Sequence, residues 1–114
     1  MISRESRLYF AISPQRGGKS TLGRKWLNRE ISLKEEEDDG YPRFLWDSDL
    51  LRLELYKERY CGRGEPMIFA IKHYAIATAL RCGHDVFVAG THSSLTSIRR
   101  ILEIRREAIP ILID

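Results

Sequence analysis

The chain has 114 residues, 43% hydrophobic and 31% charged, and carries a net charge of +3. Such a length and composition describe one ordinary globular domain with a real core, and the modest charge permits a nucleic-acid partner without arguing for one. Cys61 and Cys82 have neither metal-ligand spacing nor the density of a disulfide scaffold, so they read as reduced thiols. No apolar stretch reaches transmembrane length, and the N-terminus, with Arg4, Glu5 and Arg7, lacks a signal-peptide pattern. A cytoplasmic location with no membrane partner is therefore expected.

The first apolar run, 7–13, leads into Ser13-Pro14-Gln15-Arg16-Gly17-Gly18-Lys19-Ser20-Thr21 and then a helix-compatible segment, 19–28, with Leu22, Trp26 and Leu27. Strand, Gly-rich turn, then Lys-Ser/Thr at a helix start is the order of a phosphate-binding P-loop. Its backbone N–H groups and the positive helix end would surround a polyphosphate. Lys19 supplies a point charge, and Ser20 a hydroxyl for Mg2+. Ser13 stands where such a loop normally begins with Gly. Further on, Glu35, Glu36, Glu37, Asp38 and Asp39 repel one another and bury nothing. They read as a solvated loop, with a metal or partner contact as the alternative.

The second run, 43–47, opens onto Asp47-Ser48-Asp49-Leu50-Leu51-Arg52 and a helix over 48–57. In an open parallel sheet, ligands bind outside the carboxyl ends of the strands, which puts Asp49 on the same edge as the P-loop. A carboxylate there can accept the proton of an attacking hydroxyl, while Arg52 holds an anionic group of the acceptor. The alternative is local: Asp47 or Ser48 caps the helix, and Asp49 complements its dipole.

The longest helix, 66–82, starts with Pro66 and is followed by Gly83, the favoured residues at those ends. Its apolar residues lie nearly all round, which predicts burial between the sheet and another element. The third run, 85–90, ends at Thr91 and His92, near the phosphate site; the alternative for His92 is a turn residue beside a cap formed by Ser93 or Ser94. His84 is expected in a surface turn at the opposite edge, and His73 shows no ligand partner. A last helix, 95–107, turns Ile98, Ile101, Leu102 and the nearby Ala108 inward, and 109–114 is a fourth strand. All four runs are apolar at successive positions, as parallel strands covered on both faces are. Strands alternating with helices give an α/β fold with right-handed crossovers. Without repeats or a linker, residues 1–114 form a single domain.

Three blocks in this order resemble the P-loop kinases related to the bacteriophage polynucleotide kinase. The matching residues are Gly18-Lys19-Ser20-Thr21, then Asp49 with Arg52, then Gly83, Val86 and Val88 leading to Thr91-His92. The stretches 65–72 and 97–104 share the family's flavour. The resemblance implies a three-layer P-loop sandwich with strand order 2-3-1-4. It also implies that Lys19 and Ser20 bind nucleotide phosphates and Mg2+, Asp49 acts as general base, and Arg52 contacts the acceptor. Two departures accompany it. Ala89 and Gly90 stand where the family carries an acidic residue that helps organise Mg2+, leaving the metal to Ser20, phosphates and water, with Asp47 or Asp49 nearby. The family's arginine-bearing lid and last strand are not in this sequence, so the domain reads as C-terminally truncated relative to the family. The expected function is phosphorylation of a hydroxyl by ATP or GTP, on a polynucleotide 5′-hydroxyl or a small molecule. The alternative is a nucleotide-binding protein without catalysis.

Overall fold

Leu8, Tyr9, Phe10 and Ala11 are all buried, so a strand through them must be covered on both faces. The same holds for Asp85-Val86-Phe87-Val88. The computed structural model describes residues 4–12, 18–33, 40–57, 62–90 and 95–113. In chain order the elements are β1 (Leu8–Ile12), α1 (Lys19–Leu27), β2 (Arg43–Trp46), α2 (Ser48–Tyr56), α3 (Glu65–Arg81), β3 (Asp85–Val88), α4 (Leu95–Ile104) and β4 (Ile109–Leu112). The strands form one parallel sheet in the order β2-β3-β1-β4, as the resemblance implies. Leu8 pairs with Val86, Tyr9 with Ile109 and Trp46 with Val88. Pro110 sits on β4, an edge strand, where a missing N–H interrupts no ladder on its free side.

Successive residues point to opposite faces of the sheet and build two cores. On one face Leu8, Phe10, Trp46, Val86 and Val88 pack against Ile68, Ile76, Ala79 and Leu80 of α3 and Ile101 of α4. On the other, Tyr9, Ala11, Phe87, Ala89 and Ile111 pack against Trp26 of α1 and Leu33. Trp26 lies with its ring centroid 6.0 Å from Tyr9 and 5.8 Å from Phe87. A Cβ at buried Gly23 would come within 2.7 Å of a Leu45 methyl, so α1 approaches the sheet more closely than an alanine there would allow. The result is a three-layer α/β sandwich.

Three expectations change. The long helix α3 is not buried all round: Ile68, Ile76, Ala79 and Leu80 face the core, whereas Met67 and Tyr74 are 51% and 73% exposed. The sheet covers only one side of it, and α2 and α4 touch its flanks. Leu102 is exposed while Ile101 is buried, because a helix's 3.6-residue period carries the core stripe through Ile98 and Ile101 and leaves Leu102 at its margin. Helix α4 also ends at Ile104, and 105–108 form a turn closed by the Ala108 N–H donating to the Arg105 carbonyl at 3.1 Å. Among the described residues no helix is long and apolar enough to cross a membrane.

The amino edge of the sheet is fastened by a charge pair. Arg4 donates from both terminal nitrogens to the buried Asp85 carboxylate at 2.9 and 2.6 Å, and the Arg7 backbone N–H adds a bond of 2.8 Å. The Arg4 guanidinium lies 3.8 Å from the Tyr41 ring centroid. Removing one partner of a buried pair strands the other. Asp85→Ala is expected to destabilise the fold by about 3 kcal/mol, read as a lower urea midpoint with an unchanged slope.

Candidate functional site

Parallel pairing brings the carboxyl ends of β1, β2 and β3 to one edge. The ends are tied by the Ala89 N–H donating to the Trp46 carbonyl at 2.8 Å. Gly18 precedes α1 with φ of 80°, a left-handed conformation that glycine adopts without strain. Among the described residues no side chain caps α1. Its first-turn N–H groups, Lys19 and Ser20 stand together at this edge, and Lys19 and Ser20 are partly buried while Thr21 is exposed. Ser13, Gln15, Arg16 and Gly17 lie outside the described residues, as do Thr91, His92, Cys61 and the acidic run 35–39.

Asp47 is the first residue beyond β2 and is buried. One carboxylate oxygen accepts the backbone N–H groups of Asp49 and Leu50 at 3.1 and 3.4 Å, which makes Asp47 the N-cap of α2. The other accepts the Ser20 hydroxyl at 2.6 Å. The local capping alternative thus holds for Asp47, but the same side chain also reaches Ser20. Ser48 caps nothing; its hydroxyl accepts the Trp46 indole N–H at 2.7 Å. Asp47 further borders a largely apolar cavity of about 350 Å³ between Leu27, Phe44, Trp46, Leu50 and Glu54.

Asp49 stands in the first turn of α2 with its side chain 78% exposed. Arg52, one turn on, donates from Nη1 to Asp49 Oδ1 at 2.8 Å. Its Nε and Nη2 form a two-pronged pair with Glu65 of α3, each bond 2.8 Å. Three of the five N–H groups of the guanidinium are therefore committed to carboxylates. Glu65, followed by the other carboxylate, holds Arg52 more firmly charged than an isolated arginine. Sequence reading places Arg52 against an acceptor; the structure brings it first to Asp49 and Glu65. Glu65 carries no local sequence signal for this role, since its contact crosses from α2 to α3.

Lys72 lies two turns along α3 from Glu65, on the same face. Burial, then repulsion from Arg52 and from Arg100 of α4, pulls its ammonium down to about 8. Arg100 sits over the Phe69 ring, 4.4 Å from its centroid. Phe69 also stacks on His73, whose Nδ1 lies 3.0 Å from the Phe69 carbonyl. The partner of His73 is thus local, within its own helix. His84 is partly buried, in the turn before β3 at the amino edge. No group of three or more His, Cys, Asp or Glu side chains suited to a metal occurs among the described residues. Ser20 and Asp47 are oxygen donors of the kind Mg2+ takes when phosphates and water complete its shell.

No family model and no curated protein matches the sequence. Solved structures do match the fold. A chain of the Pnkp1/Rnl/Hen1 complex superposes with a TM-score of 0.74 at 19% identity, over 100% of this chain and 37% of that one. A chain of the Pnkp1/Rnl/Hen1 RNA repair complex gives 0.72 at 19% identity, over 99% and 34%. A cysteine-to-alanine variant of Mycobacterium tuberculosis APS kinase CysC gives 0.59 at 15% identity, over 96% and 75%. This chain thus spans about a third of the chains in the first two structures. The likeness shows a P-loop kinase-like α/β fold with a four-stranded parallel sheet.

The lowered Lys72 value has a consequence for stability. The folded state releases its proton near pH 8, the unfolded chain near 10.5. Between those values the unfolded chain binds more protons, so the Lys72 contribution makes stability rise with pH. Below pH 8 the full cost of the buried charge is present. Lys72→Met is therefore expected to be more stable than wild type at pH 7, by about 2 kcal/mol. Urea titrations at pH 7, 9 and 10.5 should show that advantage shrinking as the pH rises.

Proposed function

We propose that this chain binds ATP, or GTP, at the loop ending in Gly18 and transfers the γ-phosphoryl group to a hydroxyl acceptor. The observation that carries this reading is the meeting, at one sheet edge, of the Gly18-Lys19-Ser20 helix start with the carboxylates after β2. The N–H groups at the start of α1 and the Lys19 ammonium would meet the phosphates. Ser20 would hold Mg2+, which when bound offsets the charge that develops on the phosphoryl oxygens. Residues 1–114 act in this reading as one P-loop unit.

Asp49 is the general base. Arg52 occupies its Oδ1, which leaves Oδ2 to take the acceptor's proton. As that O–H bond breaks, the acceptor oxygen bonds to the γ-phosphorus and the bond to the β-phosphate oxygen breaks, releasing the nucleoside diphosphate. Arg52 orients the base, and Glu65 in turn fixes Arg52, the arrangement of a base steered by a third group. The two N–H groups of Arg52 that no carboxylate takes would serve an anionic acceptor. The acceptor class is a polynucleotide 5′-hydroxyl or a small-molecule alcohol. The first draws support from the likeness to a chain of an RNA repair complex, the second from the likeness to an APS kinase. A second reading, nucleotide binding without catalysis, is favoured by Ala89 and Gly90, since β3 brings no carboxylate to the edge.

The test is Asp49→Asn, assayed with labelled ATP and 5′-hydroxyl oligonucleotides, nucleosides and small alcohols. Asparagine keeps the shape but loses the basic oxygen. ATP affinity should stay within a few-fold while transfer falls ~100-fold to 10,000-fold. Transfer that survives the substitution removes Asp49 from the mechanism. ATP binding with no transfer to any acceptor supports the non-catalytic reading.

A further inference from the structure

Asp47 has a feature that capping alone does not explain. The cap uses one oxygen, bonded to the N–H groups of Asp49 and Leu50; the second oxygen is directed 2.6 Å away at the Ser20 hydroxyl. All these donors are neutral, Asp47 is only 8% exposed, and no described cation pairs with it. A buried carboxylate without a counter-charge is costly, and a cation arriving beside it is correspondingly favoured. The strand register supplies the second half of the inference. Trp46 pairs with Val88, and the Ala89 N–H donates to the Trp46 carbonyl. Asp47 therefore leaves β2 beside Ala89, next to the position where β3 carries Ala89 and Gly90 and no acid.

We propose that Asp47 is the acidic group of the Mg2+–nucleotide site, supplied from β2 in place of β3 and acting through Ser20. Its carboxylate accepts a hydrogen bond from the Ser20 hydroxyl, which would leave that oxygen's lone pairs for the ion, and its charge would offset that of the ion. This is a positioning role: Mg2+ keeps water and phosphate oxygens in most of its shell, and one protein oxygen with a carboxylate behind it suits that preference. The inference rests on the nucleotide-binding reading above.

The experiment is calorimetric titration of the full chain with ATP, first in EDTA and then at rising Mg2+ concentration. Asp47→Asn preserves the cap, because Asn and Asp are equivalent there, and removes only the charge. Asp47→Ser preserves the cap with a side chain too short to reach Ser20. Circular dichroism melts verify that both variants fold. Wild type is expected to bind ATP more tightly as Mg2+ rises. In both variants that tightening should shrink ~10-fold or more, the usual effect of losing a group behind a metal ligand. Affinity for metal-free ATP should be unchanged or higher, since a negative charge near the phosphates is gone. Equal Mg2+ dependence in wild type and variants overturns the Asp47 role alone. So does a parallel loss of metal-free and Mg2+-dependent binding, which marks a purely structural residue. Absence of ATP binding by wild type at every Mg2+ concentration overturns the nucleotide reading itself.

Discussion

Two strands that are apolar on both faces, β1 and β3, constrain everything else in this protein. Neither can sit at a water-exposed surface, so they pair at the centre of the sheet and need helices above and below. The helices are the crossovers between parallel strands, and parallel pairing delivers every strand's carboxyl end to one edge. The starts of α1 and α2 are thereby brought to that edge by the sheet itself. Trp26, held between Tyr9 and Phe87, and Gly23, which lets α1 close on Leu45, set the height at which the first helix begins. Burial of apolar surface thus positions Lys19 and Ser20 before any polar contact does.

Polar contacts then refine the edge. Ser20 to Asp47 links the start of α1 to the start of α2, and Arg52 to Glu65 links α2 to the start of α3. Three helix starts are so connected through carboxylates. The Arg52 pair has the two-pronged geometry that gives direction as well as energy. Nearby Lys72 holds its proton less readily than a solvated lysine, first because it is buried and then because Arg52 and Arg100 repel it.

The strands were readable from residue types because apolar residues at successive positions leave few other readings. Their ends shift by one or two residues, since the backbone bonds of Ala89 to Trp46 and of Ile113 to Ile12 lie just past the strand ends. The faces of α3 were not readable: with apolar residues nearly all round, periodicity does not rank one side above another, and only the sheet's position exposes Met67 and Tyr74. Of the proposed site, Lys19, Ser20 and Asp49 are suggested by local order, whereas Glu65 is not, because its contact with Arg52 is tertiary. Asp47 reads from the sequence as a helix cap, and the cap is there; its second bond, to Ser20, is tertiary and carries no local signal.

Nucleotide binding at the helix that starts with Lys19 underlies both the catalytic and the non-catalytic reading. Equilibrium titration of ATP into wild type and Lys19→Ala, at fixed Mg2+, tests it most directly. Saturable binding by wild type, with a rise in melting temperature as ATP is added, and strong weakening in Lys19→Ala are the predicted results. Equal affinity in the two proteins would contradict the assignment of this edge as a phosphate site.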